Sequence, residues 1–235
     1  MRHPFAAALQ SNKVLSAAGG ALGFYRLGLA ADKRYSLFGA LNNNDLIPAK
    51  VSEDMTPTQT YPPALLLKAQ GIRVAFFDVD GVLTDGGLYF SEGGETLKRF
   101  NTLDGHGLKL LQRAGITPAV ITGRDSKPLR VRLAALGITH VHYGTEDKRP
   151  AAEQTLQALG LGWRQAAAMG DDWPDLAVMT RCAFACAPGN AHAEVRAISH
   201  FVTQAAGGAG AAREFCDVLL VASGKYASLL EESKR

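Results

Sequence analysis

The sequence lacks the features that would place it in several common classes of protein. It has three cysteines, an odd number, and no Cys-x-x-Cys pair of the kind that binds zinc. We therefore expect reduced, buried thiols and a cytoplasmic location, not a disulfide framework. The chain also has no run of about 20 apolar residues, so we expect no membrane-spanning helix and no membrane partner.

The sequence also lacks a large excess of charge of one sign. The formal net charge is only +3, and the chain has neither a dense block of lysine and arginine nor aromatic residues interleaved with basic ones. Such patterns are typical of nucleic-acid surfaces, so no nucleic-acid partner is expected. The glycine-rich residues 207–210 lack the lysine and the Ser or Thr of a P-loop, which favours a flexible turn over a nucleotide site.

The first part of the chain differs from the rest. Segment 14–25 is apolar and weakly imitates a signal peptide, but glycines interrupt it and no clean cleavage site follows. Residues 56–63 are rich in polar residues and in residues that favour turns. We interpret residues 1–64 as an N-terminal extension that is poorly ordered or reflects a mis-assigned start, with Met55 as a candidate first residue. Residues 65–235 are expected to form one domain.

From Leu65 onward, short apolar segments alternate with segments whose apolar residues recur at helical spacing. The apolar segments predict strands over residues 72–77, 118–121, 139–142, 166–169, 183–187 and 200–203. Helices are predicted between them, around Leu108 and Leu111 and over residues 129–136, 152–159, 174–180 and 213–222. Strands that alternate with helices predict a doubly wound, Rossmann-like α/β fold with a parallel sheet.

A β-hairpin flap interrupts this alternation. Residues 88–91 and 96–100 predict two strands that turn at residues 92–94, Glu-Gly-Gly. Residues 88–90, Leu-Tyr-Phe, are apolar and would be exposed on a monomer. We therefore expect another subunit to cover them.

Polar residues follow four of the predicted strands. Asp78 and Asp80 come directly after the first strand, and Thr122 follows the second. Lys148 lies beyond the third strand, and Asp171 follows the fourth. Because ligands bind at the carboxyl ends of parallel strands, we expect these residues to meet in one site.

These residue types suit the hydrolysis of a phosphate monoester. The substrate is a dianion, so the site has to neutralise charge and also offer a nucleophile and a proton. We expect Asp78 and Asp171, with waters, to bind Mg²⁺, because this hard cation prefers oxygen ligands. Lys148 and the Thr122 hydroxyl are expected to bind the other phosphate oxygens. Asp78 is the predicted nucleophile, and Asp80 is the predicted acid and base.

The motifs resemble those of the haloacid dehalogenase superfamily of phosphatases. The matching segments are residues 78–86, 121–124, Lys148 and the Gly-Asp-Asp-x-x-Asp of residues 170–175. A narrower similarity is to the 3-deoxy-D-manno-octulosonate 8-phosphate phosphatase family, which acts in the synthesis of lipopolysaccharide precursors. This narrower similarity is carried by residues 86–89, 100–107 and 207–214, and the whole likeness covers about residues 70–226.

The resemblance implies roles for individual residues. The metal ligands that it implies are Asp78, the backbone carbonyl of Asp80, and Asp171. The substrate contacts that it implies are Asp80, Asn101, Thr102, Leu103, Asp104, Gly105, Lys109, Arg124, Arg132 and Lys148. Lys109 departs from the family pattern by replacing the usual arginine, and Ala209 stands where another arginine is common. Asp175 is expected to support the metal site without binding the ion.

The resemblance also implies how the site is covered. Many superfamily members carry a cap domain after the first or second motif, but only 42 residues separate Asp80 from Thr122 and 26 separate Thr122 from Lys148. These residues are already assigned to the hairpin, two helices and two strands, so we expect no cap domain. An uncapped site is open to water unless a neighbouring subunit covers it. The resemblance implies a homotetramer in which the flaps close adjacent sites.

The resulting hypothesis is magnesium-dependent hydrolysis of a phosphorylated sugar acid, 3-deoxy-D-manno-octulosonate 8-phosphate, through an aspartyl-phosphate on Asp78. One alternative is a phosphatase for a nonulosonate 9-phosphate of the sialic acid type, whose substrate also pairs a carboxylate with a remote phosphate. An alternative from another class is a non-catalytic oligomerisation module. Phosphoryl transfer to an alcohol instead of water is a further option, because an aspartyl-phosphate can react with either acceptor.

Overall fold

The computed structural model describes residues 57–235. Residues 1–56, and with them most of the predicted extension, lie outside the described residues. The first helix starts two residues before the predicted domain boundary. In chain order the elements are α1 Pro63–Ala69, β1 Val74–Phe77, β2 Tyr89–Ser91, β3 Gly94–Leu97, α2 Thr102–Arg113, β4 Thr117–Ile121, α3 Lys127–Ala135, β5 His140–His142, α4 Lys148–Leu159, β6 Ala166–Met169, α5 Leu176–Met179, β7 Phe184–Ala187, α6 Ala193–Ile198, β8 Phe201–Val202, α7 Ala211–Ala222 and α8 Tyr226–Glu232.

Six of the eight described strands form one parallel sheet in the order β5-β4-β1-β6-β7-β8. β1 lies inside this sheet, with Val74 opposite Thr117 of β4 and opposite Ala166 of β6. β2 and β3 form a separate antiparallel hairpin. The predicted doubly wound α/β fold with a hairpin flap is confirmed, and residues 57–235 contain no inserted cap domain.

The sheet is buried on both faces, which explains why β1 reads as a continuous apolar run. Side chains alternate between the faces, so that Phe77 belongs to one apolar cluster and Phe76 to the other. The first cluster includes the inner sides of α2 and α7, where the rings of Phe77 and Phe215 lie 5.3 Å apart. The second includes the inner sides of α4 and α5. Both clusters pack against β1 and hold it in place. β1 ends directly before the first motif, residues 78–86.

The hairpin differs from its predicted strand and turn bounds. β3 starts at Gly94, two residues earlier than predicted, and Gly94 pairs with Ser91. The turn therefore consists of Glu92 and Gly93 alone, a two-residue connection that is common in hairpins. Gly94 has a φ of 98°, which lets the chain enter the second strand directly after the turn. The predicted three-residue turn was wrong because the two glycines are equivalent in the sequence pattern.

The helices differ from the prediction in number and length. The predicted helix over residues 174–180 is divided into a 3₁₀ turn, Trp173–Asp175, and the short helix α5. The sequence pattern does not predict α1, α6 or α8, which have six or seven residues and are too short to show a recurring apolar face. The longest described helices have 12 residues, and none of the described helices could cross a lipid bilayer.

The glycine-rich segment before α7 packs tightly against the first motif. The backbone N–H of Gly208 donates to the carbonyl oxygen of Val82 at 3.0 Å. A Cβ atom at Gly207 would lie 1.7 Å from the carbonyl oxygen of Gly81, so only glycine fits there. Asn190 holds this segment from the other side, because its Oδ1 accepts the N–H of Gly207 at 2.9 Å. The predicted turn is present at residues 207–210, but Gly207 and Gly208 are buried against the first motif and support it.

We expect Gly207→Ala to destabilise the protein by about 3 kcal/mol or more, because the added methyl group overlaps the backbone of Gly81. For a domain of this size, Tm is expected to fall by roughly 6–12 °C. Gly162→Ala is a matched control, because its backbone is extended and a Cβ atom there meets no atom within 4 Å. Thermal unfolding followed by circular dichroism measures both variants. Equal Tm values would contradict the tight packing.

Candidate active site

The carboxyl ends of the central strands meet at one cavity. Asp78 follows β1, Thr122 follows β4, and Asp171 follows β6 after one glycine. Lys148 is the first residue of α4, which comes after β5. The structure therefore brings together the predicted catalytic residues and the predicted metal ligands. The cavity has a volume of about 620 Å³ and is lined by Asp78, Asp80, Thr122, Gly123, Arg124, Glu146, Lys148, Asp171, Asp172, Pro174 and Asp175.

Lys148 provides a buried positive charge at the base of this cavity. It is only 6% exposed, and its ammonium donates to Oδ1 of Asp78 at 2.5 Å and to Oδ1 of Asp175 at 2.6 Å. Burial by itself lowers the pKa of Lys148, but the charges of the two carboxylates outweigh burial and raise this pKa above its ordinary value. Lys148 therefore stays charged and holds Asp78 at the end of β1.

Asp175 holds the fourth motif in shape. Its Oδ1 accepts from Lys148, and its Oδ2 accepts the backbone N–H of Asp171 at 3.0 Å. Both carboxylate oxygens are thus hydrogen-bonded within the protein. Asp175 therefore connects the lysine to the loop that carries Asp171, a set of contacts that suits the supporting role expected from the sequence.

The carboxylates of Asp78, Asp171 and Asp175 form a cluster that fits a divalent cation. One oxygen from each lies within 4.8 Å of the others. The first motif approaches this cluster closely, since a Cβ atom at Gly81 would lie 2.1 Å from Oδ2 of Asp171. The three clustered carboxylates outnumber the ammonium of Lys148, which pairs with two of them, and leave negative charge that a hard cation can neutralise. The donor atoms therefore suit Mg²⁺.

Burial and mutual repulsion raise the pKa values of Asp78 and Asp171. Burial, together with the charges of Asp78 and Asp175, raises the pKa of Asp171 to about 7. Burial and the charge of Asp175 also raise the pKa of Asp78, although Lys148 opposes this shift. Without a cation, Asp78 and Asp171 therefore hold protons more readily than ordinary aspartates. A cation that binds here has to displace these protons.

Asp80 has different partners from Asp78. Its carboxylate forms an ion pair with Lys98, and its Oδ2 lies 3.6 Å from Nε of Arg124. The side chain of Asp80 is 20% exposed, compared with 8% for that of Asp78. The greater exposure suits a group that exchanges protons with a substrate or with water.

The sequence does not single out Lys98, because a lysine after a hairpin strand resembles any solvent-facing residue.

Thr122 shapes the second motif. Its Oγ1 accepts the backbone N–H of Arg124 at 3.2 Å, and its own N–H donates to the carbonyl oxygen of His142 at 3.0 Å. These bonds hold the loop close to the end of β4 and keep Arg124 on the cavity wall. Thr122 is buried, yet it lines the cavity, so its hydroxyl is available to a bound anion.

The other predicted substrate residues surround the start of α2. Asn101 caps this helix, since its Oδ1 accepts the N–H of Leu103 at 2.8 Å. Asp104 is buried and its Oδ1 accepts the N–H of Arg213 at 2.8 Å, while Arg132 donates from Nη2 to the carbonyl oxygen of Asn101 at 3.3 Å. The predicted substrate residues that do not line the cavity within this chain are Asn101, Thr102, Leu103, Asp104, Gly105, Lys109 and Arg132.

Known proteins are similar to this chain in sequence and in fold. Residues 137–215 match a family model described as haloacid dehalogenase-like hydrolase. The 3-deoxy-D-manno-octulosonate 8-phosphate phosphatase KdsC of Escherichia coli strain K12 is 41% identical over 170 residues, which are 72% of this chain and 88% of that protein. The chain belongs to the 3-deoxy-D-manno-octulosonate 8-phosphate phosphatase family. The resemblance carried by the sequence motifs is confirmed.

Solved structures of this phosphatase family have the same fold. The enzyme from Yersinia pestis is 40% identical, with a TM-score of 0.68 over 70% of this chain and 89% of that chain. The enzyme from Moraxella catarrhalis is 35% identical, with a TM-score of 0.70 over 72% of this chain and 98% of that chain. The latter is described as a complex with a magnesium ion, a phosphate ion and a KDO molecule.

Magnesium binding to this chain is expected to strengthen as pH rises from about 6 to about 8. At the lower pH the cation has to displace a proton from Asp171, whose pKa is about 7, whereas at the higher pH this group is ionised. Calorimetric titration of the metal-free chain is expected to give a Kd at least about tenfold lower at the higher pH. Asp171→Asn is expected to bind weakly at both pH values. A Kd independent of pH would contradict the role of Asp171.

Proposed function

We propose that this chain is a phosphatase that hydrolyses 3-deoxy-D-manno-octulosonate 8-phosphate to 3-deoxy-D-manno-octulosonate and inorganic phosphate, with Mg²⁺ as its cofactor. The observation that carries the proposal is the buried pair of Asp78 and Lys148, in a chain 41% identical to the Escherichia coli enzyme over most of its length. The magnesium, phosphate and KDO of the Moraxella catarrhalis complex support the same cofactor and substrate.

Asp78 is the proposed nucleophile. Lys148 fixes one oxygen of its carboxylate through the 2.5 Å hydrogen bond, which limits the directions from which Asp78 can attack. The attack forms a bond between the carboxylate and phosphorus while the bond to the leaving oxygen breaks, and the product is an aspartyl-phosphate on Asp78. Magnesium, held by Asp78, Asp171 and the backbone carbonyl of Asp80, would neutralise negative charge on the phosphate.

Asp80 is proposed to carry out the proton transfers. It protonates the leaving alcohol and then accepts a proton from the water that hydrolyses the aspartyl-phosphate. Its place on the cavity wall, two residues after the nucleophile, supports this role. The Lys148 ammonium and the Thr122 hydroxyl are proposed to bind phosphate oxygens, because both line the cavity and offer hydrogen-bond donors.

Substrate recognition is proposed to involve a neighbouring subunit. Arg124 lines the cavity and offers a planar guanidinium to the carboxylate of the sugar acid. Thr102, Leu103 and Lys109 are exposed on α2 and lie outside this cavity, so we propose that they contact a substrate in the site of another chain. Phe90 and Leu97 on the flap are 62% and 57% exposed, and such apolar surface is typical of subunit interfaces. The proposed assembly is a homotetramer.

Two further proposals concern the whole chain. Residues 1–64 are proposed to precede the phosphatase domain of residues 65–235 as an extension, which is supported by the 72% share of the chain that matches the Escherichia coli relative.

A cytoplasmic location is supported by the free, buried thiols of Cys182, Cys186 and Cys216, since free thiols are typical of a reducing compartment.

A panel of phosphate esters tests the proposed function. Phosphate release from 3-deoxy-D-manno-octulosonate 8-phosphate is expected only with magnesium, and kcat/KM for a nonulosonate 9-phosphate is expected to be at least about tenfold lower. Asp78→Asn is expected to reduce release by at least about 10³-fold, because the amide is a poor nucleophile. Asp125→Asn, which alters an exposed ion pair with Arg130, is the matched control. Unchanged release by Asp78→Asn would favour the non-catalytic module.

The assembly has a separate test. Light scattering coupled to gel filtration is expected to give a mass about four times the 25.0 kDa of one chain. Phe90→Glu is expected to lower this mass, because a charge on the exposed flap cannot be buried in an apolar interface without a large desolvation cost. Phe90→Leu keeps the side chain apolar and is the matched control. A wild-type mass equal to that of one chain would contradict the tetramer.

A further inference from the structure

Lys98 lies directly after the second strand of the flap, and its side chain has an exposed fraction of 0%. Its ammonium contacts two carboxylates, that of Asp80 and that of Glu95, the latter at 2.8 Å. A buried ammonium is unfavourable unless it is paired, so these two contacts define where Lys98 can lie. One of its two partners is the proposed acid of the reaction.

Glu95 connects this ion pair to the second motif. Its Oε1 accepts from the hydroxyl of Ser126 at 3.3 Å. Ser126 stands at the N-cap position of α3 but forms no cap hydrogen bond with its own helix. The Ser126 hydroxyl therefore bonds to a flap residue, Glu95, and not to the backbone of α3. A continuous series of contacts therefore joins the flap to the loops that follow β1 and β4.

Asp80 lies between two cations that differ in freedom. Lys98 is fully buried, whereas the side chain of Arg124 is 46% exposed and lies 3.6 Å from Oδ2 of Asp80. Arg124 can therefore turn toward a bound sugar acid, while Lys98 cannot leave its place without losing both of its carboxylate partners. When Arg124 binds the substrate, Lys98 is the cation that still holds Asp80.

We propose that Lys98 is a positioning residue that orients the carboxyl group of Asp80 toward the oxygen of the leaving alcohol. The inference rests on the proposed function, because it assigns a task within the same phosphatase reaction. The ion pairs of Lys148 with Asp78 and Asp175 form a separate set. Loss of Lys98 therefore affects proton delivery and leaves the nucleophile in place.

The test compares two esters whose leaving groups differ in their need for a proton. A sugar alkoxide is a poor leaving group and needs protonation, whereas p-nitrophenolate leaves without it. The full-length chain is assayed with magnesium, and kcat/KM is measured because it is not affected by steps after the leaving group has departed. Lys98→Met is expected to lower kcat/KM about 30-fold for 3-deoxy-D-manno-octulosonate 8-phosphate and less than about 3-fold for p-nitrophenyl phosphate.

A neighbouring cation provides the matched control. Arg99→Met removes a charge at the next position, where Arg99 forms an exposed ion pair with Asp85 at 3.3 Å. It is expected to leave kcat/KM for both esters unchanged, because exposed pairs contribute little. Glu95→Gln weakens the hold on Lys98 without removing it and serves as a second variant should Lys98→Met fail to fold. It is expected to show the same selective loss, smaller in size.

A double-mutant cycle completes the test. If Lys98 acts through Asp80, then adding Lys98→Met to an Asp80→Asn enzyme is expected to lower kcat/KM for 3-deoxy-D-manno-octulosonate 8-phosphate by less than about 2-fold. An equal loss on both esters, or two losses that multiply in the double variant, would overturn the positioning role. Absence of magnesium-dependent phosphate release by the wild-type chain would instead overturn the proposed function, so the two failures are distinguishable.

Discussion

The site depends on one buried ammonium shared by two carboxylates. Lys148 bonds to Asp78 and to Asp175, and Asp175 in turn bonds to the backbone of the loop that carries Asp171. These contacts therefore join the segments that follow three strands of the sheet, β1, β5 and β6. Burial and the charges of Asp78 and Asp175 raise the pKa of Asp171, because the single ammonium does not compensate all the negative charge. The remaining negative charge makes the site suitable for a cation.

Much of the fold and the centre of the site could be predicted from the sequence. A continuous apolar run identifies β1 because both faces of the sheet are covered. Asp78, Thr122, Lys148 and Asp171 could be predicted to meet because each follows a parallel strand and all such strand ends lie at one edge. These inferences use only the order of elements along the chain, which a sequence displays directly.

Contacts between loops could not be predicted in the same way. Lys98 resembles a solvent-facing hairpin residue, and its burial against Asp80 depends on how the flap lies on the sheet. Gly207 was expected in a flexible turn, and only its distance from Gly81 shows why a side chain is excluded. Asp104 was predicted as a substrate residue from family resemblance, whereas within this chain it accepts a hydrogen bond at the start of α7. Each of these facts depends on a distance across the fold.

The cavity is walled by loops that follow the strands, and no segment inserted between the described elements covers it. A ligand can therefore enter, and free phosphate can depart, without a hinge rotation inside the described part of the chain. In enzymes with a closing domain, that rotation often sets the pace of each cycle. Here the described elements require no such rotation, so the pace is expected to follow bond breaking and the departure of products by diffusion.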